Sequence, residues 1–188
     1  QVVDSAMVDG SLSLMSFFYS LKEMGHWEDS RESNLLDGFA HFYDTYECSD
    51  NKYIAVGSIE PQFYSELLDK LEIDDEQFKD QHNKKIWPEL KEKMAAKIRL
   101  KSRSEWVEIF SDSDACVSPV LSMEEAKKHP HNLARDAFTT IDGFNQPNAS
   151  PRFSITNPEI KHNAKSIGSD QDDIYEEFNL RKEAFIKN

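Results

Sequence analysis

From Phe42 to Tyr64 the chain reads FYDTYECSDNKYIAVGSIEPQFY. Phe42, Asp44 and Tyr46 alternate with Tyr43, Thr45 and Glu47, the two-residue period of a half-buried strand. Ser49-Asp50-Asn51 supplies a turn, and Tyr53 to Gly57 is the returning strand. Pro61 suits the first turn of a helix, where its missing N–H costs nothing. It also pushes Glu60 out of helical geometry, so Glu60 stands at or near the N-cap. Glutamate is not a favoured cap. By residue type alone the plainer reading is a solvated acid at a helix start, which the helix dipole favours. The unusual choice of cap is nevertheless a hint of function.

Around this stretch the composition sets bounds. The chain has 188 residues, room for one domain or for a small domain with appendages. Twelve Phe, six Tyr and three Trp are enough for a core. A net charge of −13 argues against a nucleic-acid partner, or any polyanion, because phosphates are neutralised by Lys and Arg patches. Cys48 and Cys116 form no paired framework, which fits a reducing, intracellular compartment. No apolar run reaches the length of a membrane span. The chain opens at Gln1 without Met and runs at once into Val2-Val3-Asp4, which reads as the inside of a folded unit.

Outward from the hairpin, Asp4 is placed to cap a helix that ends at Gly25. Its wide stripe of Met7, Val8, Leu12, Met15, Phe18 and Leu21 asks for a larger body to pack against. Residues 26–40 form a polar connector. The helix after Pro61 buries Phe63, Tyr64, Leu67, Leu68 and Leu71, and Trp87 to Leu100 is helical through Leu90, Met94 and Ile98. A short helix is expected over Asp74 to Gln81, and Ser102 or Ser104 caps the helix that carries Trp106. Ala115 to Val120 reads as a strand stopped by Pro119, and Met123 to Lys127 as a short helix. Residues 131–168 hold Pro147, Pro151 and Pro158 and read as an extended linker. The final stretch, 169–188, returns to helix with Ile174, Phe178 and Phe185 on one face. The organisation is thus a terminal helix over 1–25, a connector, a small α+β domain over 41–130, a linker and a tail helix.

Several segments carry a family resemblance. Gln1 to Gly10, Asn34-Leu35-Leu36-Asp37-Gly38, the Phe42 hairpin, Ser113 to Leu121 and Pro151-Arg152-Phe153-Ser154 together, in this order, resemble the alpha-methylacyl-CoA racemases of the family III CoA-transferase group. The match runs to about residue 155, on the C-terminal half of such enzymes. It implies an α+β lid domain, a β-hairpin with helices, flanked by arms that belong to a larger Rossmann-like, CoA-binding domain. It also implies two interlocked subunits and inversion at the α-carbon of a 2-methylacyl-CoA without a cofactor, coenzyme A being part of the substrate.

In that family a His and an Asp of the large domain exchange the proton, and a Glu of the small domain pairs with the His. Glu60 stands at the position of that Glu, while Asn34, Leu36 and Tyr43 match segments lining the acyl pocket. Taken alone, the last three are as readily packing or turn residues. The His and Asp segments lie in the half not represented here, so the isolated chain is expected to be inactive. His129 and His131 lack further ligands at metal spacing, and no metal is expected. Two other classes stay open: a family III CoA-transferase with an Asp nucleophile, and a non-catalytic oligomerisation or binding piece. The racemases of animals are found in peroxisomes and mitochondria, although Ile186-Lys187-Asn188 is not a peroxisomal terminus.

Overall fold

A computed structural model of the protein describes residues 1–180. The chain divides into two compact units, Gln1–Val120 and Leu121–Asn188. The architecture is mixed α+β with antiparallel sheets.

The first unit is organised by a sheet in the order β1-β2-β3, with β1 at Tyr43–Glu47, β2 at Tyr53–Gly57 and β3 at Val117–Pro119. Tyr43 pairs with Gly57 and Glu47 with Tyr53, so the hairpin closes in the register that the alternation predicts. Asn51 takes the left-handed conformation in the turn, with φ +56°, and Cys48 N–H bonds Lys52 O across it. Phe42, Tyr46, Ile54 and Val56 face the core.

Against that face pack α3 (Pro61–Leu71), α4 (Trp87–Ile98) and α5 (Arg103–Ile109), with a 3₁₀ turn at Glu76–Lys79 between the first two. In α4, Trp87, Leu90, Met94 and Ile98 are all buried, as their helical spacing requires. The indole N–H groups do not go unpaired: Trp87 donates to Gln81 O and Trp106 to Ile98 O, each at 2.7 Å. Each large apolar side chain so buried contributes about 1.5–3 kcal/mol.

The N-terminal segment differs from the single helix expected from Asp4. It forms α1 (Met7–Leu14) and α2 (Ser16–Glu23), broken at Met15, and the N-cap of α1 is Ala6 without a side-chain bond. The serines explain the break. Ser11, Ser16 and Ser20 turn their hydroxyls back onto the carbonyls of Met7, Ser13 and Ser16, a pattern that weakens and bends helices. Neither helix has a buried residue, and Met7 and Leu14 are more than four-fifths exposed.

The second unit holds α6 (Met123–Lys128), α7 (Pro130–Ala134), a hairpin of β4 (Phe138–Ile141) and β5 (Phe144–Pro147), and α8 (Gln171–Glu177). The stretch read as an extended linker therefore contains regular structure. The cause is Asp142-Gly143, which take φ +50° and +82°, the two positive values that a two-residue hairpin turn needs. Ile174 on α8 and Phe178 just after it are exposed, and Phe185 lies outside the described residues.

Candidate functional site

The outward face of the sheet carries Ala55, Gly57 and Ser118 where a two-sided sheet would carry branched side chains. Small residues leave space, and a groove of about 490 Å³ opens over them. Tyr43 flanks it from β1, its ring within 3.7 Å of where a Cβ on Gly57 would stand. Leu36, Asp37 and Gly38 line one side, and Cys116 lies next to Gly57, whose N–H it accepts through its carbonyl at 2.9 Å.

The lining is fixed by two polar clusters. Asp37 accepts from the backbone N–H groups of Ser33 and Asn34 and from the Asn34 amide, at 3.1, 2.9 and 2.8 Å. Burial opposes its ionisation, but these bonds and one from Phe39 N–H outweigh it, and the carboxyl is held below its usual range. Asp44 pairs with Lys91 of α4 at 2.5 Å, and the same ammonium donates to Gly38 O, joining the Leu36–Gly38 side of the groove to β1. Gly38 takes φ +87°, and a Cβ there would stand 3.6 Å from the Asp44 carboxylate. Both acids of the groove are thus engaged, and what it offers a ligand is small apolar, hydroxyl and aromatic surface.

At the end of β2 the chain runs through Gly57-Ser58-Ile59 into Glu60, and nearly every polar group on the way is tied down. Ser58 N–H bonds Phe42 O, Ser58 Oγ donates to Ala115 O, and the Gln81 amide donates to Ser58 O and Ile59 O at 3.0 Å each. Glu60 has extended geometry, φ −73° and ψ 142°, with Pro61 at the first helical position. Its carbonyl accepts from Tyr64 N–H. Its exposed carboxylate caps nothing and has no hydrogen bond or ion pair among the described residues. Glu60 does not line the groove, but its charge reaches it. The Cys116 thiol is pushed up first by burial and then by Glu60, Asp114 and Glu66.

Of the residues singled out from the sequence, Leu36 and Tyr43 come together in the groove, with Glu60 beyond its Cys116 end. Asn34 does not line it. Asn34 is fully buried, and its amide bonds Glu28 N–H, Glu28 O and Asp37, so it acts on the groove only through the turn it holds. Sequence reasoning missed Gln81, Ser58 and Lys91. A buried glutamine between two helical segments signals nothing by itself, since its partners lie 22 and 23 residues away.

The sequence model of CoA-transferase family III matches residues 1–171. The chain is 40% identical to the alpha-methylacyl-CoA racemase of Mus musculus over its whole length, which is 50% of that protein. It is 38% identical to the alpha-methylacyl-CoA racemase of Homo sapiens, covering 97% of the chain and 48% of that protein. The chain thus spans about half the length of these relatives. A crystal structure of Rv3272 from M. tuberculosis shares the fold, with a TM-score of 0.66 at 15% identity over 92% of this chain and 45% of that one.

Proposed function

The chain belongs to CoA-transferase family III, and from that premise we propose that it forms the C-terminal half of an enzyme that inverts the α-carbon of 2-methylacyl-CoA thioesters. The observation that carries the reading is Glu60: a carboxylate with no structural partner among the described residues, on a backbone pinned by Ser58 and Gln81, beside an open groove. Rigid support of an unused charged group is what a positioned acid/base partner needs.

In this proposal the thioester acidifies the α-proton, one group of the remaining half removes it, and a conjugate acid returns a proton to the opposite face. Glu60 touches neither reacting atom; it orients an imidazole of that half and stabilises its cation. The start of α3 adds favourable potential for an ionised carboxylate. The groove over Ala55, Gly57 and Ser118, flanked by Leu36 and Tyr43, takes the branched acyl portion. With its acids engaged and no Lys or Arg in its lining, it suits a hydrocarbon better than the phosphates of coenzyme A. The exposed faces of α1, α2 and α8 pack against the rest of the enzyme, and two such enzymes interlock. No cofactor beyond the substrate's own coenzyme A is invoked, and a peroxisomal or mitochondrial site follows the animal racemases. The isolated chain, which lacks the proton-exchanging pair, is inactive.

The test is α-proton exchange. The full-length enzyme in deuterium oxide incorporates deuterium at C2 of a 2-methylacyl-CoA and equalises its epimers. Transfer of coenzyme A to a free acid without exchange overturns the reading and leaves the CoA-transferase alternative.

A further inference from the structure

Directly behind the groove lies a buried group that the proposed reaction does not use. His41 is completely buried, with its Nε2 2.7 Å from the Tyr64 hydroxyl. That hydroxyl has one proton and donates it to Phe78 O at 3.0 Å. With that proton on Phe78 O the hydroxyl accepts from His41, an assignment that puts the ring proton on Nε2 and leaves Nδ1 bare. Nδ1 is buried and has no hydrogen-bond partner among the described residues. Edge-on rings of Phe42, Tyr64 and Phe78 surround the imidazole at centroid distances of 5.0, 5.5 and 5.5 Å. The titratable groups facing it are Tyr64 from α3, Tyr46 from β1, whose hydroxyl donates to His41 O, and His82 from the segment after the 3₁₀ turn. None of them is a carboxylate.

We propose that His41 is a neutral keystone whose protonation the fold cannot accommodate, making the first unit, and with it the groove and the Glu60 segment, acid-releasable. A second proton must go on Nδ1, which has no acceptor among the described residues, and the charge it brings is opposed by His82. Burial first, and His82 second, lower the pKa of His41 to about 4. An unfolded histidine titrates near 6.5. The folded value lies below the unfolded one, so the His41 contribution to stability is complete above about pH 6.5. It is lost as pH falls from there towards about 4, at up to about tenfold in the folding equilibrium per unit. The loss reaches the site through the backbone, because Ala40 O holds Tyr43 N–H and Phe42 O holds Ser58 N–H.

The experiment compares urea unfolding of the full chain and of His41→Gln at pH 7.5 and 5.0. Between these pH values the unfolding constant of the wild-type chain rises about thirtyfold more than that of the variant. Equal rises in the two chains overturn the proposal. Should His41→Gln fail to fold, long-range ¹H–¹⁵N spectra of the wild-type chain decide the matter. A neutral Nε2–H ring persisting at pH 5.0 supports the keystone, and an imidazolium in the folded chain at that pH refutes it.

Discussion

Two acidic side chains stand at joints of the first unit, and the fold treats them in opposite ways. Asp37, at the turn before β1, accepts hydrogen bonds from Ser33, Asn34 and Phe39 N–H groups and from the Asn34 amide. Glu60, at the joint of β2 and α3, accepts none among the described residues, although the chain beneath it is as firmly held. Helix starts sharpen the contrast. Ser102 and Ser122 open α5 and α6 with complete capping boxes to Glu105 and Glu125, while α3 opens with Glu60 and Pro61 and no side-chain cap. Proline supplies part of the explanation, since α4 and α7 also carry it in the first turn and also lack a cap. It removes one of the unpaired donors of the helix start and holds the residue before it out of helical geometry. A carboxylate that folding does not use is available for chemistry.

If the comparison holds, stability effects should fall in order along these positions. The largest is at Asp37. Replacing Asp37 by Ala leaves the Ser33 and Asn34 N–H groups and a buried amide without their acceptor, at a cost of about 2–4 kcal/mol, read from urea unfolding. Acid should mimic part of this. Because the folded carboxyl titrates below its ordinary value, its contribution is complete above about pH 3.9 and fades as pH falls through the depressed value. That window lies below the one assigned to His41. A smaller loss, about 1 kcal/mol, is expected for Ser102→Ala, with catalysis in the full-length enzyme unchanged. A loss at Ser102 no larger than at Glu60 would dissolve the contrast between used and unused helix starts.

The sequence reveals the hairpin, its register, the stop at Pro119 and the helix start at Pro61, because strand alternation and proline geometry are local. Leu36 and Tyr43, singled out through the resemblance, both line the groove. The sequence does not reveal the groove, which depends on Ala55, Gly57 and Ser118 sharing one face across three strands. Nor does it show that Asn34 is sealed inside its own turn, or that Gln81 returns to hold Ser58. The groove and the Gln81 bonds are set by long-range contacts, and the Asn34 bonds, though local, follow no periodic pattern. The β4–β5 hairpin is a different kind of omission. Asp142-Gly143 is a strong local turn signal, but Pro147, Pro151 and Pro158 around it are equally compatible with an extended segment.

The smallest stability effect belongs to Glu60, and there the account is most exposed. Glu60→Gln in the full-length enzyme, measured side by side for urea unfolding and for deuterium exchange at C2 of a 2-methylacyl-CoA, should leave stability within about 0.5 kcal/mol. Exchange should fall about 10²–10⁴-fold. Exchange at the wild-type rate, or a stability loss as large as that of a missing cap, would contradict the claim that this carboxylate is kept free for catalysis.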